Sequence, residues 1–139
     1  MSIFWGDTSV TLRYVGKLPS ANDLIQFNRV NRFHGASLKK RYTEELADSF
    51  RSQTRRKFFG HVTCTVNFYE SSMRRDDDNV ISACKYILDG LVHAGIIVDD
   101  SPKYCHVKPE RWQSKLIIDG KKQNYVEVKI EESKLEDYL

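Results

Sequence analysis

Apolar and polar residues alternate from Val10 to Val15, with Val10, Leu12 and Tyr14 on one side. This predicts a first strand, closed by Gly16 and Pro19. Residues 18–36 keep no steady period and contain Pro19, Asn22, Asn28, Asn31 and Gly35, so they read as a long loop of the kind that often carries function. Ser37 suits a helix cap, and Leu38, Tyr42, Leu46 and Phe50 then recur every fourth residue. That helix is expected to fray among Arg55, Arg56 and Lys57. The clearest strand is His61 to Tyr69: Val62, Cys64, Val66 and Phe68 face one way, Thr63, Thr65 and Asn67 the other. A second helix follows, with Val80, Ile81, Cys84, Ile87, Leu88, Leu91 and Val92 on its apolar stripe and Gly95 as its C-terminal glycine.

Beyond it, Tyr104 to Lys108 predicts a strand before Pro109. Trp112 to Ile118 and Tyr125 to Ile130 predict a closing hairpin around Asp119-Gly120. The tail after Glu131 reads as a short helix or disordered chain. This order of elements makes the fold class α/β: a small mixed β-sheet packed with two main helices, in a single domain over residues 1–139.

Composition changes this picture little, but it excludes some classes. No apolar run approaches the length of a membrane span, so no membrane partner is expected. Met1 to Val10 lacks the layout of a signal peptide. Cys64, Cys84 and Cys105 are an odd, irregularly spaced set, which reads as reduced thiols of a cytoplasmic protein. A zinc site from His61-x-x-Cys64 with Cys105-His106 is disfavoured, because Cys64 and His61 start on different faces of their strand.

Charge distribution is more informative than its total of +3. Between Arg29 and Gly60 nine Lys/Arg stand against Glu44, Glu45 and Asp48, a local net of 9 − 3 = +6. A block like this suits a phosphate backbone, although a basic run alone is more often a solvated helix face. Its candidate DNA contacts are Arg29, Arg32, Lys39, Lys40, Arg41, Arg55, Arg56 and Lys57. Phe27, Phe33 and Tyr42 are candidates for stacking at an opened strand, with core packing their commoner role.

The chemistry concentrates at the ends of the second helix. Arg74-Arg75-Asp76-Asp77-Asp78-Asn79 precede it, and Asp99-Asp100 follow Gly95. Like charges gathered this way are costly unless a cation lies between them, and Mg²⁺ takes one or two carboxylates plus substrate phosphates. Asp76 and Asp78, two apart in an extended segment, point the same way, whereas Asp77 points outward. Against this stands a plainer account: Asp78 or Asn79 caps the helix, and Asp99-Asp100 form an ordinary turn.

The run RRDDDNVISACKYILDGLVHAGIIVDD resembles the signature of the RusA family of Holliday-junction resolvases. The likeness rests on Asp76-x-Asp78-Asn79, Leu88-Asp89-Gly90-Leu91, and Ala94-Gly95 followed by Asp99-Asp100. Leu18-Pro19-Ser20-x-Asn22 is similar to that family's loop after the first strand. These specific positions cover about a fifth of the chain. The resemblance implies a RusA-like fold and a homodimeric, Mg²⁺-dependent endonuclease that cuts four-way DNA junctions by paired symmetric nicks, with Mn²⁺ as a second candidate metal. It implies Asp76, Asp78 and Asp100 as the metal-binding carboxylates, Asp99 as a neighbour, and Arg75, beside Arg74, as a phosphate contact. The competing readings are a metal nuclease acting on other branched DNA, and a non-catalytic DNA-binding module whose acids are caps.

One departure bears on mechanism. The family places a functional lysine one turn after the second aspartate, where this chain has Ser82, while the helix carries its lysine at Lys85. Positions 78, 82, 85 and 89 share one helical face, so Lys85 is either the functional lysine or a simple i,i+4 partner of Asp89. Length enters here. A helix filling 79–94 would span about 24 Å at ~1.5 Å per residue. The extended return from Gly95 to Asp100 recovers at most about 18 Å. Asp100 therefore meets Asp78 only if the helix starts late or tilts, unless Asp100 serves a partner chain's site. A late start is the expectation, and it favours Lys85 as the functional lysine.

Overall fold

The computed structural model describes residues 9–19, 32–72 and 82–133, with the side chains of 32–36 left aside. Strand β1 (Ser9–Val15) is followed by helix α1 (Arg32–Gln53), β2 (Val62–Glu70), helix α2 (Cys84–His93), β3 (Cys105–Gln113), the two-residue strands β4 (Ile117–Ile118) and β5 (Lys121–Lys122), and β6 (Tyr125–Glu132). The main sheet has the order β1-β6-β2-β3. β6 runs antiparallel to both β1 and β2, while β2 and β3 are parallel and joined through α2. The fold is thus a small α/β fold, a four-stranded mixed sheet with two helices.

Alternation decides which face of the sheet is covered. Register aligns Leu12, Val128 and Val66 across three strands, and Val62 and Cys64 lie beside Cys105 and Val107. These side chains form one core with Leu46 and Phe50 of α1 and Ile87 and Leu91 of α2. Across the other face runs a row of Val15, Tyr125, Tyr69 and Trp112. The Tyr69 and Tyr125 rings stack with centroids 4.4 Å apart, and the Arg13 guanidinium lies 4.9 Å over Tyr125. The Trp112 Nε1–H donates to Asn67 Oδ1 at 2.9 Å, which fixes an indole that stays half exposed.

The edge strand β1 is finished by a side chain. Gln53, the last residue of α1, donates from Nε2 to the Arg13 carbonyl at 2.7 Å and accepts from the Arg13 N–H at 2.8 Å. One amide thereby satisfies both backbone groups that a further strand would have paired. It also locks α1 against the sheet.

Several expectations need correction. α1 begins at Arg32, not at Ser37, so the last residues assigned to the loop are helical and Ser37 is exposed within the helix. No proline lies between Pro19 and Ser37 to stop the helix from starting earlier. α2 begins at Cys84 with Ala83 as its cap and without a side-chain capping bond, and Asp78 and Asn79, the expected caps, lie outside the described residues. β3 continues through Pro109, which is tolerated because β3 is an edge strand. Asp119 (φ 52°) and Gly120 (φ 78°) do make the tight turn, but its arms are only β4 and β5. Residues 125–132 instead enter the middle of the main sheet, where both of their edges are bonded. Residues 134–139, where a short helix or disorder was expected, lie outside the described residues.

The C-terminus of α2 follows the glycine logic closely. Gly95 takes φ +76°, its N–H donates to the Val92 carbonyl, and the Ile96 N–H donates to the Leu91 carbonyl. This pair of bonds is a Schellman motif, and buried Leu91 and Ile96 supply its usual apolar contact. Midway along α2, Gly90 has a different duty. A Cβ there would come within 2.8 Å of Leu46 Cβ and 3.4 Å of Phe50 Cε2. Gly90→Ala would ordinarily favour a helix by roughly 0.5–1 kcal/mol. Here the methyl group meets an atom one bond from the α1 backbone, and overpacking of that kind costs ~1–3 kcal/mol. A net loss of about 1–2 kcal/mol is expected from urea denaturation, and a stabilised variant would show that the two helices separate freely.

Candidate functional site

The first turn of α2 places Lys85 on the polar side of a helix whose opposite face is buried through Cys84, Ile87, Leu88 and Leu91. Asp89 follows one turn later on the same side. After the Schellman turn, Ile96 and Ile97 are buried, and the Ile96 carbonyl accepts from the Phe58 N–H at 2.8 Å. Val98 emerges, and Asp99 and Asp100 stand half-buried before the Ser101–Tyr104 turn into β3. The Ser101 carbonyl accepts from both the Tyr104 and Cys105 N–H groups at 2.9 Å, and the Tyr104 carbonyl accepts from Val62. Both ends of the acidic turn are therefore tied to β2 and its approach.

The turn and the helix meet at one ammonium group. Lys85 Nζ lies 2.6 Å from Asp100 Oδ2 and 3.2 Å from Asp89 Oδ1. Lys39 of α1 approaches the other Asp89 oxygen at 3.9 Å. Asp99 Oδ1 accepts the Asp100 N–H at 2.9 Å, so one of its oxygens shapes the turn. The Lys85 ammonium holds the Asp100 carboxyl below the usual carboxylate range, and the Asp100 hydrogen bond raises Lys85 above its ordinary value. Lys85 is thus the i,i+4 partner of Asp89, and it also reaches Asp100. The α2 start at Cys84 agrees with the late start expected from the length argument.

Asp76, Asp78, Arg74 and Arg75 lie outside the described residues, as does Arg29, and the Arg32 side chain is left aside. Of the proposed metal carboxylates the structure therefore describes Asp100. Among the described residues no three His, Cys, Asp or Glu side chains converge as a metal site. Carboxylate oxygens are the ligands Mg²⁺ takes, and the Lys85 ammonium already stands as a cation against Asp100 Oδ2. Buried Glu70, which sequence reasoning passed over, ends β2 a few residues before the first acidic group. Its place in the strand alternation signalled burial, since it follows Val66 and Phe68 at period two.

The basic block is spread out. Lys40 lies 4.0 Å from Glu44 and Arg41 3.1 Å from Glu45, both one helical turn away. Arg56 lies 3.5 Å from Glu132 and 4.5 Å over the Phe58 ring. Arg55 and Lys57 are exposed beyond the end of α1. Lys39, Lys40 and His93 line an open groove with Asp89.

The zinc arrangement does not assemble. The His61 Nδ1 is 2.6 Å from Ser133 Oγ and its Nε2 is 3.1 Å from the Pro102 carbonyl. Cys64 and Cys105 sit in the core with their sulfurs 3.7 Å apart, whereas His106 is exposed. Cys64, Cys84 and Cys105 are all free thiols. Burial pushes the Cys84 thiol up to about 12, which leaves it protonated and unreactive. No helix among the described residues is long and apolar enough to cross a membrane. No known protein-family model matches the chain, and no curated protein is significantly similar to it.

The Lys85–Asp100 pair has a definite pH signature. Asp100 has a lowered folded value, so its contribution to stability is present above the ordinary carboxylate value near 3.8 and is lost as pH falls through the lower folded value. Lys85 has a raised value, so its contribution persists below 10.5 and is lost only above that. The pair is partly solvated, which limits it to about 0.5 kcal/mol. Asp100→Asn should cost about that amount at pH 7 and less at pH 2, as measured by urea denaturation at the two pH values. An equal loss at both would mean that Asp100 acts through packing.

Proposed function

We propose that this protein is a divalent-metal-dependent endonuclease of branched DNA, acting as a homodimer on four-way junctions. The observation that carries the reading is the meeting of Lys85 and Asp100 at 2.6 Å. Two positions 15 residues apart, the last aspartate of the resemblance and the lysine of the helix before it, are in contact. A turn that merely reversed the chain would not require this contact. Asp76 and Asp78 are the remaining carboxylates of the proposed site, with Arg74 and Arg75 beside them in sequence.

In this reading Asp76, Asp78 and Asp100 hold Mg²⁺, with Mn²⁺ as a substitute. The bound metal supplies an activated water and neutralises charge on the scissile phosphate. Lys85 then presents a cation to the phosphoryl oxygens, where negative charge builds in an in-line displacement. Arg75 orients the phosphate, and Lys39, Lys40, Arg55 and Lys57 attract the arms of the junction through their charge. Such contacts read backbone and shape, so base preference at the arms is weak. Paired nicks require two equivalent sites related by a two-fold axis, which an isologous dimer provides.

The test is incubation of the purified protein with a labelled synthetic four-way junction and with a matched linear duplex, each with and without Mg²⁺. Paired nicks restricted to the junction, abolished by EDTA and reduced at least a hundredfold in Asp78→Asn, are expected. Retained junction binding with no cleavage in either Mg²⁺ or Mn²⁺ would make this a non-catalytic DNA-binding module. Cleavage of flaps in preference to junctions would reassign the substrate and keep the chemistry.

A further inference from the structure

The loop between α1 and β2 turns two cations and an aromatic ring outward. Helix α1 ends at Gln53, and the Thr54 N–H donates to the Phe50 carbonyl at 3.2 Å. Burial then alternates along the chain. Thr54 and Arg56 are half-buried and Phe58 is buried, whereas Arg55, Lys57 and Phe59 are exposed. The inward set is engaged by the fold: Arg56 lies 3.5 Å from Glu132 and 4.5 Å over the Phe58 ring. The outward cations are not so engaged. Among the described residues neither Arg55 nor Lys57 forms an ion pair.

Phe59 is 80% exposed, more than any other large apolar residue described. A lone exposed apolar side chain is ordinary on a protein surface. Here, however, the chain is fixed on both sides of it. The Phe58 N–H donates to the Ile96 carbonyl at 2.8 Å, and the Val62 N–H donates to the Tyr104 carbonyl at 3.0 Å. Between them, His61 Nε2 lies 3.1 Å from the Pro102 carbonyl and its Nδ1 2.6 Å from Ser133 Oγ. The loop that carries Phe59 therefore runs beside the turn that carries Asp99 and Asp100. The stacking candidates named from sequence are less well placed. Tyr42 meets Tyr86 edge-on with centroids 6.0 Å apart and packs against the core, while Phe27 and the Phe33 side chain lie outside what is described.

A nucleic-acid strand matches this strip in both of its chemistries. Its phosphates take Arg and Lys, and an unpaired base offers a flat face to an aromatic ring. A membrane surface matches it less well, because interfacial binding scales with buried apolar area and one ring supplies little. We propose that Arg55, Lys57 and Phe59 form one nucleic-acid contact, in which the two cations hold the phosphates of a strand and the Phe59 ring stacks on a base left unpaired at a branch. The proposal rests on the reading of this protein as one that binds branched DNA. It needs no metal ion, and it assigns the recognition of opened bases to Phe59, beside the acidic turn.

The experiment is fluorescence anisotropy of the full chain in EDTA with four dye-labelled DNAs: a four-way junction, a linear duplex, an oligothymidine strand and a strand of the same length made of abasic sugars. Wild type is compared with Phe59→Ala, Phe59→Leu, Phe59→Tyr and the double variant Arg55→Gln/Lys57→Gln, each shown to be folded by circular dichroism. Phe59→Ala should weaken binding to the junction and the oligothymidine at least about fivefold and leave the duplex and the abasic strand unchanged. Phe59→Leu should behave like Phe59→Ala, and Phe59→Tyr like wild type. The double variant should weaken all four DNAs and reduce the salt slope by about one per cation.

The abasic strand decides between stacking and simple apolar contact, since it keeps the phosphates and lacks the bases. An equal loss on the oligothymidine and the abasic strand in Phe59→Ala, or full retention in Phe59→Leu, overturns the stacking role. Junction binding that is unchanged in every Phe59 variant overturns the contact and leaves the DNA reading standing. Absence of wild-type binding to any of the four DNAs removes the DNA reading and the contact together. A parallel titration with phosphatidylserine vesicles covers the remaining partner: Phe59-dependent vesicle binding without Phe59-dependent DNA binding would make the strip a membrane contact and overturn the proposal.

Discussion

The approach of α2 to α1 at Gly90 is the constraint on which the rest of the architecture depends. Two helices share one face of a four-stranded sheet, and they must pack against each other as well as against the strands. Gly90 allows this because it has no side chain where Leu46, Ala47 and Phe50 come forward. The close contact lets Ile87 and Leu91 face the same core as Leu46 and Phe50. It also brings Lys39 of α1 within reach of Asp89 of α2. Apolar packing thus sets the spacing of the charges above it.

Those charges form a short chain of alternating sign: Lys39, Asp89, Lys85 and Asp100. Each link is partly exposed, and exposed ion pairs contribute little to stability. The Lys85 ammonium is shared by the Asp89 and Asp100 carboxylates, which ties the turn after α2 to the helix.

Much of this was legible in the sequence because it depended on local patterning. Val62, Cys64, Val66 and Phe68 announced a strand with one dry face, and Gly95 announced the end of α2. Helical periodicity placed Lys85 and Asp89 on one side of α2 in advance, whereas Asp100 was singled out by the resemblance. What failed was decided by distant partners. Asp119-Gly120 has the local chemistry of a tight turn and makes one, but nothing local reveals that residues 125–132 pair with β1 and β2. Pro109 discouraged a strand that an edge position permits. Ser37 had the side chain of a cap and lay inside a helix, because a capping residue marks a start only where the preceding chain does not already continue it. Asp76 and Asp78, on which the functional reading leans most, lie outside the described residues, so Lys85 and Asp100 bear the structural part of that argument.

The position of β6 carries a consequence for how the chain reaches this state. Among the described residues it is the last strand in chain order, yet it lies between β1 and β2, with Ser9 opposite Glu131 at one end of the β1 ladder. Until those residues are available, β1 has no neighbour in the sheet and β2 has one bonded edge. During synthesis the helices can form and β2 can find β3, but the sheet closes only once residues 125–132 have left the ribosome. Ordering so long an intervening segment before any contact rewards it slows folding. Val126, Val128 and Ile130 are then the late keystone that turns two separate pieces into one core.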